Sequence, residues 1–163
     1  MEVSSDQLLA LARFAFVRMD GAWFMSAAKK FGVEAAWQLD VDAWRQFAYV
    51  MGKRIRALMF PEPAWPGDFL SAVDIFMKIL DIPGRKVTLE GDVISIVVTE
   101  CEVQKAIAKA GIADCGIVTV ETYTQMARGL FGRDMGVLVR HVKNLNQGAD
   151  RCEVLITRQE AAS

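Results

Sequence analysis

The hydrophobic period of this chain changes once, near Lys86, and that change limits the folds open to it. Upstream, apolar residues recur at three- and four-residue steps, the spacing of one helix face. Downstream, KVTLE and VISIVVTE alternate apolar and polar residues as half-buried strands do. A helical first half followed by two strand pairs with helical segments between them fits neither an all-helical bundle nor a sandwich. The expectation is an α+β fold, with a helical N-terminal half packed on an antiparallel sheet of about four strands and two helices between the strand pairs.

In the helical half, Ser4 and Ser5 are good caps, and residues 6–31 contain no proline and one glycine, Gly21. This reads as one long helix or as two joined at Gly21. It is apolar on nearly every side, which suits the middle of a molecule or a subunit interface. A short helical piece reaches Trp37. Asp40 then caps a helix whose Trp44, Phe47, Ala48, Met51, Ile55, Leu58 and Met59 form one stripe, with Arg45, Lys53, Arg54 and Arg56 largely outside it. FPEPAWPGD holds three of the four prolines and is an extended connection, after which Asp68 caps a third helix to about Leu80. The chain is read as a single domain over 1–163, divisible at this connection into a helical part (1–60) and an α+β part (67–159).

After Lys86, Gly91 and Asp92 suit a type II′ hairpin turn. EVQKAIAKAG and VETYTQMARGLFG are helical, the second from about Thr119 or Val120. GVLVRHVKN and CEVLITRQ form another strand pair, joined by the turn NLNQGADR.

A chain of 163 residues can bury a core that needs neither metal nor disulfide. Its 53% hydrophobic and 24% charged residues are rich for a soluble monomer, so an internal cavity or a homodimer interface is expected. A net charge of −1 supplies no basic footprint for nucleic acid. MEVSSDQ does not read as a secretory signal, and no run approaches the roughly 20 apolar residues that span a bilayer. The expected partner is a small molecule and the expected location cytoplasmic, where the three cysteines stay reduced.

Phosphate-loop, nucleophile-elbow, H-E-x-x-H and C-x-x-C patterns are absent. Chemistry then rests on the three cysteines and the one histidine. In a hairpin of the last two strands, Val137, Val139 and His141 share one face, and Cys152, Val154 and Ile156 alternate together on the partner. If both apolar sets face the core, His141 and Cys152 are direct or diagonal neighbours. Cys101 sits just past a strand end. Cys115 precedes a helix, where the dipole can lower a thiol pKa. Cys101, Cys115, His141 and Cys152 could together hold zinc, or Cys152 or Cys115 could act as a nucleophile with His141 as base. The alternative is three ordinary core cysteines, since free cysteine is among the most buried residue types. A second constellation is Asp20 with Trp23 and Phe24 on one helix face, either lining an aromatic ligand pocket or with Asp20 pairing with Arg13 or capping a second helix at Gly21.

Two stretches resemble known families. DGAWFMSAAKKFGVEAAWQLDVDAW, residues 20–44, resembles the opening pattern of a group of uncharacterised bacterial and archaeal cytosolic proteins. LVRHVKNLNQGADRCEVLI resembles the closing signature of the L-2-amino-thiazoline-4-carboxylic acid hydrolase-like family, which also tends to carry cysteine at the places of Cys101 and Cys115. This resemblance implies a small-molecule site and hydrolysis of a C–N bond in a small cyclic substrate. The order of elements after residue 86 is similar to vinyl-reductase-type small-molecule-binding domains, some of which hold zinc beside a ligand pocket.

Overall fold

The computed structural model describes residues 2–159. Three helices come first: α1 (Ser5–Phe31), α2 (Val33–Met59) and α3 (Gly67–Ile79). The hairpin β1 (Arg85–Glu90) and β2 (Val93–Val98) follows, then α4 (Glu102–Lys109) and α5 (Gly116–Phe131). Strands β3 (Val137–Lys143) and β4 (Cys152–Arg158) end the fold. The sheet is antiparallel throughout in the order β1-β2-β4-β3, so β4 is inserted between the first hairpin and β3. The α+β class and the helical N-terminal half are as the change of period predicts. Gly91 has φ +59° at the first central position of the β1–β2 turn while Asp92 does not have positive φ, as a type II′ turn requires.

One face of the sheet is buried. Ile94, Ile96 and Val98 of β2, Val137 and Val139 of β3, and Val154 and Ile156 of β4 pack against Phe69, Val73, Phe76 and Met77 of α3 and Met126, Ala127 and Leu130 of α5. Helix α2 is the next layer out. It meets α5 so closely that a Cβ on Gly129 would lie 3.0 Å from the Cα of Gly52 and clash with the Tyr49 carbonyl oxygen. Glycine is needed at this crossing because only a missing side chain lets the two backbones approach. Arg45 Nε meets Glu121 Oε2 at 2.9 Å near one end of the crossing, and Gly52 meets Gly129 further along. The two helices therefore run in the same direction.

Helix boundaries differ from the sequence reading in three places, and of the two readings of α1 the single long helix is the one found. Helix α1 is continuous through Gly21, and Ser4 closes a capping box with Gln7. Helix α2 starts at Val33, so Asp40 lies inside it rather than capping it. Asp68 lies in the first turn of α3, and its carboxylate accepts from the Ala64 N–H at 2.7 Å, fastening the proline-rich connection rather than standing at the cap position. Helix α5 starts at Gly116, a turn earlier than its apolar spacing indicates.

Of the two places expected for α1, the middle of the molecule is excluded. Instead of lying in the middle, it is the outermost layer on α2. Arg13, Phe16, Val17, Asp20, Phe24 and Ala27 are at least half covered, while Leu8, Leu11, Ala15, Met19 and Ala22 on the other side are exposed. Arg13 pairs with Asp81 of the α3–β1 connection at 3.5 Å rather than with Asp20. No helix among the described residues is long and apolar enough to cross a membrane.

Candidate functional site

Strand alternation carries His141 to the covered face of the sheet, opposite Val154. Beyond it a bulge between His141 and Lys143 breaks the ladder. Cys152 pairs with Val98 of β2 at the same end of the sheet. It is thus a diagonal neighbour of His141. Just after β2 the chain turns into α4, and Cys101 becomes that helix's cap residue, its Sγ accepting from the Gln104 N–H at 3.4 Å. Cys115 stands at the equivalent position before α5.

These four side chains line one cavity of about 120 Å³ under α4 and between α5 and the sheet. Its remaining wall is mainly apolar, from Met77, Ile82, Ile96, Val98 and Val154 below to Val103, Ile107 and Val118 above, with Tyr123 and Thr119 contributed by α5. Helix α4 has no buried residue and covers the cavity only by its inner edge.

A polar cluster fixes this cover. Asn144 is buried at the end of β3. Its Nδ2 donates to Asp114 Oδ1 at 2.8 Å, and its Oδ1 accepts from the Asn146 N–H at 2.9 Å. Asp114 Oδ1 also accepts from the Gly116 N–H at 2.7 Å. Asn146 receives Gln104 Nε2 of α4 at 2.8 Å and donates to the Ile112 carbonyl at 2.8 Å. The β3–β4 turn is in this way bonded to α4 and to the link between α4 and α5, and the buried polar groups satisfy one another.

Two of the sulfurs make hydrogen bonds to the start of the β3–β4 turn. Cys115 Sγ donates to Asn144 Oδ1 at 3.5 Å, and Cys152 Sγ accepts from the Leu145 N–H at 3.5 Å. The expectation that a helix dipole lowers the Cys115 pKa is overturned. Burial, reinforced by the neighbouring thiols of Cys152 and Cys101, pushes it up to about 12. Burial also raises Cys101 and Cys152. Desolvation wins because the thiol sits in an apolar wall, away from water.

His141 differs from the thiols. Both ring nitrogens are buried without a hydrogen-bond partner. Burial lowers its pKa and so favours the neutral ring, against the opposing pulls of Asp114 and of the Lys143 backbone, whose contact falls outside hydrogen-bond geometry. Although the four residues converge on one cavity, no set of three His, Cys, Asp or Glu side chains among the described residues is close enough to hold a metal ion.

The Asp20, Trp23 and Phe24 group is divided. Trp23 is 70% exposed. Phe24 packs with Trp37, Val41 and Cys115, behind the cavity wall. Asp20 faces Asp40 of α2, and burial raises the pKa of both carboxyls, Asp40 to about 7 with Asp20 adding repulsion. Sequence reasoning missed Tyr123, Thr119 and the Asn144 cluster. The Asn-x-Asn spacing ahead of Gly148 was the available signal for that cluster, since asparagine side chains bond backbone in turns.

Solved structures share this fold at low identity. The phenol-responsive sensory domain of the transcription activator PoxR, bound to phenol, superposes with a TM-score of 0.56 at 14% identity, covering 85% of this chain and 72% of that one. A trafficking protein particle complex subunit 3 from Naegleria fowleri, covalently bound to palmitic acid, superposes at 0.57 and 17% identity, covering 93% and 97%. No curated protein matches by sequence. The family match covers residues 2–139, which is most of the chain: it belongs to the family of unknown function DUF6125.

Proposed function

We propose that the chain binds a small, largely apolar molecule carrying one polar group in the cavity beneath α4, as a sensor or carrier. The observation that carries this reading is His141, whose two buried nitrogens lack partners, in a mainly apolar wall that also holds Gln104, Thr119 and Tyr123. A buried polar atom without a partner costs about 1–3 kcal/mol, and a ligand hydroxyl would relieve that cost once a turn of the imidazole brings a nitrogen to the cavity. The size agrees with a single ring: a dry engineered cavity of roughly 150 Å³ holds benzene, and this one is about 120 Å³. That a phenol-bound sensory domain shares the fold supports the same ligand class. A palmitoyl chain is several times larger than the cavity and would require α4 to move.

Hydrolysis of a cyclic C–N bond is the less favoured use of this site. A cysteine nucleophile needs a lowered pKa or an adjacent base. Here burial raises all three thiols, and neither His141 nitrogen bonds to any of them.

The test is calorimetric titration with phenol and toluene as probes. Phenol should bind more tightly than toluene by about fivefold, the value of one net hydrogen bond near 1 kcal/mol. His141→Phe keeps the ring but removes the nitrogens and should erase that preference. If both probes fail to bind the wild-type chain at millimolar concentration, or if the variant keeps the preference, the reading is wrong.

A second reading concerns α1. Its outward side repeats Leu8, Leu11, Ala15, Met19 and Ala22 at heptad-like steps, all exposed. Glu2 and Asp6 mark one end of the helix and Lys29 and Lys30 the other. Two copies packed antiparallel would cover this side and bring acidic ends beside basic ends. Light scattering should then give a dimer that Leu11→Asp with Met19→Asp converts to a monomer, and a monomeric wild type would dismiss the idea.

A further inference from the structure

The cations of α2 and α5 are treated differently at the two ends of their crossing. At one end Arg45 is matched by Glu121 at 2.9 Å and Asp42 at 2.7 Å. At the other, Lys53, Arg56, Arg128 and Arg133 form no ion pair among the described residues. Three of them, Lys53, Arg56 and Arg128, line a groove of about 390 Å³ together with Tyr49 and Gly129. Arg133 borders it, its Nε donating to the Tyr49 hydroxyl at 3.3 Å. Arg128 Nε is buried and has no partner.

Two explanations that need no ligand can be weighed. The chain as a whole carries −1, so general basicity does not produce the cluster. Because α2 and α5 run in the same direction, both C-terminal ends lie nearby, and cations there offset the helix dipoles. Each helix end contributes only about half a negative charge. Two ends account for roughly one cation, and Lys53 and Arg133 lie over the Tyr49 ring at 5.9 and 5.8 Å, which leaves Arg56 and Arg128 as the surplus.

We propose that this groove is a second ligand site, for the phosphate group of an organic phosphate. Phosphate suits it because Arg56, Arg128 and Lys53 line the one groove, and guanidinium planes match phosphate oxygens in pairs. The groove falls within the ~300–1,000 Å³ of small-molecule sites, larger than a bare phosphate needs. Tyr49, Ala57 and Pro61 offer an apolar wall for the organic part. The groove shares no lining residue with the cavity under α4, so the two sites are spatially separate.

The experiment is calorimetric titration of the full chain at low salt with pyrophosphate and with ADP. In parallel, the chain is sedimented with phosphatidylglycerol and phosphatidylcholine vesicles. ADP binding without vesicle binding assigns a soluble ligand. Selective sedimentation with phosphatidylglycerol, together with pyrophosphate binding, assigns the same phosphate contact to a lipid headgroup. The double variant Lys53→Gln, Arg56→Gln alters two exposed side chains, and should lose at least tenfold in affinity while its melting temperature stays unchanged. Arg128→Lys keeps the charge but loses the fork, and should weaken binding severalfold. The proposal falls if pyrophosphate and ADP give no heat at millimolar concentration and neither vesicle binds, or if the double variant binds as the wild type does.

Discussion

Replacing Asp40 by Asn should stabilise the chain, and the gain should depend on pH in a defined direction. Asp40 sits half-buried inside α2, facing Asp20 of α1, and no salt bridge holds it among the described residues. Its pKa rises from 3.8 to about 7, first through burial and second through the Asp20 charge. A carboxyl whose folded pKa lies above its unfolded value binds its proton more tightly in the native state. The stability contributed by the protonated group then falls as pH rises from about 4 to 7, and that contribution is lost above the folded pKa. A shift of this size corresponds to ~4 kcal/mol as an upper bound, at about 1.4 kcal/mol per unit. Water reaches the pair, so screening reduces the expected effect to about 1–2 kcal/mol.

Asn at position 40 is a neutral isostere of the protonated acid and does not titrate. Urea unfolding of wild type and Asp40→Asn should therefore coincide near pH 4 and separate by about 1–2 kcal/mol in favour of the variant at pH 8. Asp20→Asn should recover part of the same gain by removing the second cause. A difference that is equal at pH 4 and pH 8, or one that favours the wild type at pH 8, would refute the assignment of a protonated Asp40.

Gly129→Ala should destabilise the fold by about 1–3 kcal/mol in urea, because its Cβ meets the backbone of Tyr49 and Gly52 rather than a movable side chain; an unchanged midpoint would mean that α2 and α5 separate at little cost. Native thiol labelling at pH 7.5 should be slow at all three cysteines and become complete in urea, since burial holds their pKa values up and thiolates are the reactive species; a fast-labelling Cys152 would return it to consideration as a nucleophile.

The strand half of the site could be read from the sequence because a period of two leaves little freedom. Once Val137 and Val139 face the core, His141 must follow, and Cys152 is bound to Val154 and Ile156 in the same way. The helical half could not be read with the same certainty. Asp40 has the chemistry of a cap, yet the apolar residues Ala36, Trp37, Val41 and Trp44 continue one buried stripe across it, and tertiary burial overrode the local preference. Tyr123 belongs to a helix whose apolar residues all look alike in sequence, so nothing local marks it as a cavity residue.

Cys115 makes the physical reason clear. Its position before a helix was legible, and the dipole there favours a thiolate. The opposing term is desolvation, which depends on Ile107, Ile112, Phe24, Trp37 and Val41 closing around it from three different helices and a loop. A local electrostatic preference is worth about 0.3–1 kcal/mol, whereas moving a thiolate out of water costs several times more. Where a short-range preference and a long-range packing effect disagree, packing decides. His141 obeys the same ordering: Asp114 would favour its charged form, but burial keeps it neutral. A neutral imidazole with unsatisfied nitrogens can donate to a ligand hydroxyl through one nitrogen or accept from it through the other. The features that argue against catalysis by the thiols are therefore the ones that equip the cavity for binding.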